Sequence, residues 1–211
     1  MEPSRLCDDD LDSAVALHQR AMAGEFLAAA GSRFLRAYYR AWLASPAGVA
    51  LAIRSDDQQI VAVLLGSVDP GLHYRSMVRT SGGRLARLLI VQGLTHPRWG
   101  AALIRTRTRR YVRGVLRLLW RHRGPTAAAD PRRIAEVTYL MVAHEARGRG
   151  YARALLEEAG RLALDVHVGV LVVVTRLGGS AEAFYERLGW TRVDSVLTAS
   201  GERYVRYELT L

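Results

Sequence analysis

The most informative stretch of the chain is EVTYLMVAHEARGRGYA, residues 136–152. Its first half predicts a strand over residues 134–142, because apolar and β-branched residues follow one another with little interruption. A short turn follows, and Arg147-Gly148-Arg149-Gly150 opens a helix predicted over residues 150–165. Closely spaced glycines at a helix start leave backbone N–H groups open to an anion, and the helix dipole adds about half a positive charge there. A pyrophosphate group would fit this turn.

Three better-known patterns do not match. A dinucleotide fingerprint would need a small residue at position 153, which is Arg153. Residues 178–182 lack the last glycine of a nucleophile elbow, and His144-Glu145 lacks the second histidine of a zinc-protease helix. A glycine-rich turn before a helix, taken alone, is more often structural than functional.

A second stretch, AEAFYERLGW at residues 181–190, favours the functional interpretation of the turn. Together the two stretches resemble the signatures of the GNAT superfamily of acyltransferases: Arg147-x-x-Gly150-x-Ala152 after a strand, then Phe184-Tyr185 before Leu188-Gly189. The resemblance is strong from residue 135 to about residue 193 and weaker over the N-terminal helices and strands. It implies an α/β (α+β) fold in three layers, with a mixed, mostly antiparallel central sheet whose strands splay apart at the cofactor site.

The resemblance also implies that acetyl-CoA is the co-substrate. In the family, free backbone groups of the splayed strand bind the pantetheine arm, and the amides of the turn bind the pyrophosphate. The cofactor-binding positions carried over to this sequence are Leu140, Met141, Val142, Arg147, Gly148, Arg149, Gly150, Tyr151 and Ala152. One position departs from the pattern, since Gly178 stands six residues before Phe184, where the family often has asparagine. Because of this departure, the pantetheine arm could be bound differently in this protein than in the family.

Two residues are candidates for proton transfer. The resemblance implies that Tyr185 protonates the departing thiolate, since a phenol of pKa ~10 is protonated at neutral pH. The alternative for Tyr185 is a packing role. Some family members have a glutamate at the position of Glu136 that deprotonates the amine, often through water, and this role needs burial to raise the carboxyl pKa or a water relay. The alternative is an ion pair of Glu136 with Arg132 or Arg133.

The acceptor side is less well defined. The resemblance places it between the first helix pair and the closing hairpin, where Glu25 and Phe26 are candidate amine-binding residues, although Phe26 is equally a candidate core residue. The expected reaction is acetyl transfer to a primary amine of a small molecule, such as an amino sugar. Two alternatives are acyl transfer to a macromolecule (tRNA, a peptide or a carrier-bound acceptor) and a CoA-binding module without turnover.

Composition narrows the function classes further. All thirty Lys+Arg residues are arginine, and the chain contains no lysine and no asparagine. A Walker-type phosphate loop, a Schiff-base enzyme and a protein-kinase site all require lysine and are excluded. Cys7 is the single cysteine, so neither an internal disulfide nor a cysteine metal cluster is expected, and the six scattered histidines indicate no metal site. The first thirty residues do not resemble a signal peptide, which predicts a cytoplasmic protein.

Positive charge is concentrated in residues 70–130, which we predict to be an insertion into a single domain spanning residues 1–211. Between Gly71 and Ala129 there are thirteen arginines and no acidic residue, in a chain of formal net charge +10. The pattern predicts helices over residues 83–94 and 99–121, broken at His96-Pro97, that is, a basic helical hairpin. Three interpretations are open: a cover over the substrate cleft, a surface that binds an anionic membrane or a phosphate-bearing lipid-linked sugar, and a surface for nucleic acid or an acidic carrier protein.

Hydrophobic periodicity predicts the remaining elements. They are helices over residues 11–22 and 32–42, the latter with Ser32 as N-cap, strands over 48–54, 59–66 and 168–175, a helix over 181–188, and a closing hairpin at 190–198 and 202–209.

Overall fold

The computed structural model of the chain describes residues 1–23, 25, 27–103, 133–197 and 203–211. The described strands are β1 (Ser4–Arg5), β2 (Gly48–Arg54), β3 (Ile60–Ser67), β4 (Ile134–Val142), β5 (Val170–Arg176), β6 (Thr191–Leu197) and β7 (Arg203–Thr210). The described helices are α1 (Leu11–Ala21), α2 (Ser32–Leu43), α3 (Pro70–Thr95), α4 (Pro97–Leu103), α5 (Tyr151–Leu164) and α6 (Ser180–Arg187).

The strands form one sheet in the order β1-β2-β3-β4-β5-β7-β6. The β4–β5 pair is parallel, and every other neighbouring pair among the described strands is antiparallel. The mixed, mostly antiparallel sheet implied by the resemblance is therefore confirmed. The short strand β1, which the sequence analysis did not predict, adds to the β2 edge.

Helices cover both faces of the sheet and give the three-layer arrangement. On one face α1 and α2 pack against the strands around Leu35, Trp42 and Met141. On the other face α5 and α6 pack around Leu155 and Tyr185. Each face buries its own apolar cluster because strand side chains alternate between the two sides of the sheet.

The first helix of the basic segment is longer than predicted. It begins at Pro70 rather than near Gly83, because the Asp69 carboxylate accepts a hydrogen bond from the Leu72 amide at 2.8 Å and caps the first turn. The predicted break at His96-Pro97 is present. The predicted second helix is described only from Pro97 to Leu103, and residues 104–121 of it lie outside the described residues.

After the break, α4 turns back onto α3. A Cβ added to Gly100 would lie 2.8 Å from the Gly93 carbonyl oxygen, so the two backbones pack closely at these glycines. Arginines 75, 79, 84 and 87 on α3 are exposed. None of the described helices is long and apolar enough to cross a membrane.

The predicted cap of α2 is wrong. Ser32 is the first helical residue, and the residue before it is Gly31, whose φ of 88° favours glycine. The Ser32 hydroxyl instead donates to the Gln19 side-chain oxygen at 3.2 Å and thereby connects α2 to α1.

Candidate active site

A gap opens between the two parallel strands at the centre of the sheet. The pairing of β4 with β5 runs from Ile134–Val170 to Val137–Val173 and stops there. Beyond it, β4 continues to Val142 along β3, and β5 continues to Arg176 along β7. The facing backbone edges of the two strands are thus left open to an extended ligand within the described sheet. The predicted positions Leu140, Met141 and Val142 lie on the open part of β4.

The glycine-rich turn lies at this open end. A single helical turn at His144–Ala146 leads from β4 to Arg147, and α5 begins at Tyr151. Gly148 and Gly150 have φ of +75° and +81°, and a Cβ at either position would meet no atom within 4 Å. Their backbone is left-handed and unobstructed, which is the geometry in which N–H groups at a helix start bind an anion.

The charges around this turn favour a phosphate ligand. Arg147 and Arg149 are exposed, and no described carboxylate forms a salt bridge with either. Arg153, in contrast, is paired with Glu157 of α5 at 2.7 Å. Two guanidinium groups that have no carboxylate partner among the described residues, beside an open helix start, fit a diphosphate well. Among the described residues, no group of three or more His, Cys, Asp or Glu side chains is arranged to hold a metal ion.

Tyr185, the candidate acid, lies on α6 inside the apolar cluster beneath the sheet. It is 5% exposed, and its ring lies 5.3 Å from that of Trp190 and 6.0 Å from that of Tyr207. Burial raises the pKa of its phenol well above the usual range, so the hydroxyl is protonated at neutral pH. The side chain is therefore a packing residue, and its protonation state also suits a proton donor.

Glu136, the candidate base, lies at the closed end of the gap, within the last paired stretch of β4 and β5. Its neighbours Ala135 and Val137 belong to the cluster under α5, so the Glu136 side chain points to the opposite face. Burial raises the pKa of the carboxyl, while hydrogen bonds from Thr138 and Tyr74 and the charge of Arg206 lower it in part. The pKa stays above its ordinary value, which makes the carboxylate a stronger base than a solvated one.

The predicted alternative, an ion pair of Glu136 with Arg132 or Arg133, is only partly covered by the described residues. The described guanidinium that acts on its carboxyl belongs to Arg206 of β7, whereas Arg133 is exposed and Arg132 lies outside the described residues. The Thr138 hydroxyl donates to Glu136 Oε1 at 3.3 Å. The two residues are two positions apart in β4, a spacing that places side chains on one face of a strand.

Sequence reasoning missed three side chains of this cluster: Tyr74, Arg206 and Glu208. Glu136 and Glu208 both pair in register with Val172, so they lie in one row across β4, β5 and β7. Glu208 is 9% exposed, and Arg206 Nη2 lies 2.5 Å from its Oε1. The alternation of β7, with Arg206 and Glu208 on one face and apolar residues on the other, was the available signal. It is typical of a solvated face, and only the tertiary structure shows that this face is enclosed.

The predicted acceptor residues are only partly described. Glu25 lies in the loop after α1, and its carboxylate is 3.7 Å from the Arg176 guanidinium at the end of β5. That contact connects the α1–α2 loop to the strand beside the gap. Phe26 lies outside the described residues.

The backbone at Gly178, where the family often has asparagine, is bonded to the side chain of Glu182. Gly178 has a φ of +79°, and its amide donates to Glu182 Oε1 of α6. The other oxygen of Glu182 accepts from the Tyr207 hydroxyl at 3.2 Å. Glu182 therefore connects the end of β5 to both α6 and β7.

Comparison with known proteins agrees with this geometry. The family model described as acetyltransferase (GNAT) domain matches residues 100–192. Among solved structures, the fold is similar to the ribosomal-protein-S18-alanine N-acetyltransferase from Escherichia coli (15% identity, 99% of this chain and 92% of that chain, TM-score 0.56). It is also similar to the ribosomal-protein-alanine N-acetyltransferase from Brucella melitensis (14% identity, all of both chains, TM-score 0.55). A third similar structure is an N-acetyltransferase from Staphylococcus aureus (12% identity, 99% and 96% coverage, TM-score 0.59).

The family match covers the glycine-rich turn and the Phe184-Tyr185 motif, and the similar structures share the overall fold. With the split between β4 and β5 and the open turn at its mouth, these findings show that the chain has the fold of these N-acetyltransferases and that its residues 100–192 match the GNAT acetyltransferase domain.

Proposed function

We propose that the protein transfers an acetyl group from acetyl-CoA to the primary amine of a small molecule. The observation that carries the proposal is a single geometric arrangement. The β4–β5 gap has an open glycine-rich turn at its mouth and a half-buried carboxylate, Glu136, at its closed end. An extended donor held along the gap from the turn inward would bring its far end toward that carboxylate.

In this proposal the turn and the strand edge bind the donor. The amides of residues 147–152 and the guanidinium groups of Arg147 and Arg149 hold the diphosphate, and the open edge of β4 at residues 140–142 pairs with the pantetheine amides. When bound, acetyl-CoA supplies an acetyl thioester that an amine can attack directly.

Glu136 and Tyr185 manage the two protons of the reaction. An ammonium group must lose a proton before it can attack, and the raised pKa of Glu136 equips it to take that proton directly or through a water molecule. The departing thiolate needs a proton, and Tyr185 carries one at neutral pH because burial raises its pKa.

The enclosure of Glu136 favours a compact acceptor. Side chains from three elements, Tyr74 of α3, Thr138 of β4 and Arg206 of β7, act on its carboxyl. On the β5 side, the Glu25–Arg176 contact joins the α1–α2 loop to the strand end. A small amine reaches a carboxylate in such a site more readily than a folded protein surface does.

Calorimetric titration of coenzyme A into the protein tests the donor site. We expect heat of binding for the unaltered protein and a weakening of about tenfold or more for Gly150→Ala, since a Cβ at positive φ strains the turn and enters the space of the phosphate. Gly169→Ala is the matched control. Gly169 directly precedes the first residue of β5, at the end of the strand that is far from the gap. Its φ is not positive, and a Cβ at this position would meet no atom within 4 Å. Absence of binding heat for the unaltered protein would contradict the proposal.

A thiol-release assay with acetyl-CoA then tests turnover. Suitable acceptors are a hexosamine, an aliphatic diamine and a peptide that begins with alanine. Release with a small amine supports the proposal, and release with the peptide alone would assign a macromolecular acceptor. Binding of coenzyme A without release in the presence of any acceptor would instead indicate a binding module.

A further inference from the structure

The basic segment contributes one side chain to the Glu136 cluster, and it comes from α3, the first helix of that segment. The Tyr74 hydroxyl of α3 donates a hydrogen bond to the Glu136 carboxyl. We propose that Tyr74 is a positioning residue for Glu136, so that the inserted helix completes the acceptor site and orients its base. This inference rests on the proposed function and adds a role for the insertion.

Tyr74 lies between two buried residues of α3, His73 and Met77. His73 is fully buried; its Nδ1 lies 2.8 Å from Ser45 Oγ, and its ring lies 4.2 Å from that of Trp42. Met77, one turn later, belongs to the apolar cluster under α1 and α2. The capped first turn at Asp69 fixes the start of the helix. The position of the Tyr74 hydroxyl is therefore set by packing on both sides of it.

The same packing reaches the strand that carries Glu136. Trp42 Nε1 donates to the Gly66 carbonyl oxygen at 2.8 Å, and a Cβ at Gly66 would lie 2.6 Å from the Glu136 carbonyl oxygen. The backbone of Glu136 is thus braced through Trp42 and Gly66, and its side chain is contacted directly by Tyr74. A displacement of α3 would change both contacts together.

The effect of the Tyr74 hydroxyl on Glu136 depends on the other charged and titratable groups around the carboxyl. Arg206 of β7 acts on the carboxyl, Glu208 is paired with Arg206 in the same face of the sheet, and Thr138 donates from β4 itself. Tyr74 is the described donor that comes from α3. A donor that bonds the ionised carboxylate holds it in one orientation and opposes the effect of burial. A carboxylate in fixed orientation within reach of an amine is the requirement for a general base.

Tyr74→Phe removes the oxygen and retains the ring. We expect the pKa of Glu136 to rise by about one pH unit, because the lost hydrogen bond favoured the ionised carboxylate. The acidic limb of the kcat/KM profile, measured with acetyl-CoA and the best small amine of the panel, should move to higher pH by the same amount. In a Glu136→Gln background the substitution should have no further effect on kcat/KM.

The protonation of Glu136 can also be measured without turnover. An infrared pH titration of the ligand-free protein, with the Glu136→Gln protein subtracted, follows the carboxyl band of this one residue. Its midpoint should rise in Tyr74→Phe. Tyr39→Phe is the matched control, because it removes a buried hydroxyl, bonded to His18 at 3.0 Å, from another helix. It should leave both the infrared midpoint and the kinetic limb in place.

The outcomes separate the inference from the function it rests on. An unshifted infrared midpoint in Tyr74→Phe, or an equal loss of kcat/KM with and without the Glu136 carboxylate, would overturn the positioning role even if the enzyme is active. Failure of the unaltered protein to release thiol with any amine would overturn the proposed function, and the infrared titration would still decide whether Tyr74 controls Glu136.

Discussion

Acidification from pH 7 to pH 5 should destabilise the protein by about 4 kcal/mol through two buried histidines. His18 and His73 are each fully buried, and burial lowers the pKa of each from 6.5 to about 4. His18 Nδ1 lies 3.0 Å from the Tyr39 hydroxyl and His73 Nδ1 lies 2.8 Å from the Ser45 hydroxyl, contacts that suit the neutral ring.

The sign follows from the proton uptake on unfolding. Each histidine has a lower pKa in the folded state, so its stabilising contribution is complete above pH 6.5 and is lost as the pH falls toward 4. A pH of 5 lies about 1.5 units below the unfolded pKa of each imidazole. Because the folded protein keeps the ring neutral while the unfolded chain binds a proton, each histidine lowers the stability by about 2 kcal/mol at this pH. The sum is a large part of the 5–15 kcal/mol that is typical of a folded domain. Glu136 contributes in the opposite direction, because its folded pKa is raised.

Urea denaturation at pH 7 and pH 5 measures this loss. His18→Gln and His73→Gln should each lower the stability at pH 7 and should each reduce the difference between the two pH values by about half. His96→Gln, at an exposed position on the break between α3 and α4, is the control and should leave the difference unchanged. The reasoning is refuted if the unaltered protein is equally stable at both pH values, or if the double variant retains the full difference.

Two further predictions concern the active site. Tyr185→Phe should lower kcat by about 10²-fold or more while the affinity for coenzyme A stays within about twofold, because it removes the proposed proton donor and leaves the proposed coenzyme A-binding groups in place. Equal kcat for variant and unaltered protein across the pH range would remove Tyr185 from the mechanism. Gly66→Ala should destabilise the fold by about 2 kcal/mol or more, measured by urea denaturation, because its Cβ would lie 2.6 Å from the Glu136 carbonyl oxygen; a neutral effect would show that β3 and β4 can separate there at no cost.

Part of the site was accessible from the sequence because its signals are local. The strand over residues 134–142 has the predicted bounds, and the turn after it has glycines at the two positions with positive φ. Local signals also located the break at His96-Pro97. They failed at Ser32 and at the start of α3, where a glycine of positive φ and the Asp69 cap decided the helix ends. Each of those outcomes depends on backbone geometry that periodicity does not encode.

Local sequence patterns could not predict which side chains surround Glu136. The sequence separations from Glu136 to Tyr74 and to Arg206 are large, and each residue alone resembles an ordinary surface side chain of a helix or strand. Their meeting requires the pairing of β5 with β7 and the packing of α3 against the body of the protein. The same holds for Glu182, whose bond to Gly178 supports a turn where the family pattern would have placed an asparagine.

The order of residues along the chain by itself indicated the fold, the glycine-rich turn, and the candidate acid and base, since those predictions depend on neighbours in sequence and on short-range conformational preference. The tertiary structure alone decided which side chains surround the base, because a carboxyl acquires its pKa and orientation from desolvation and from partners that are distant in sequence. Only the tertiary structure shows the split between β4 and β5. Beyond Val137 and Val173, β4 pairs only with β3, and β5 pairs only with β7, among the described strands.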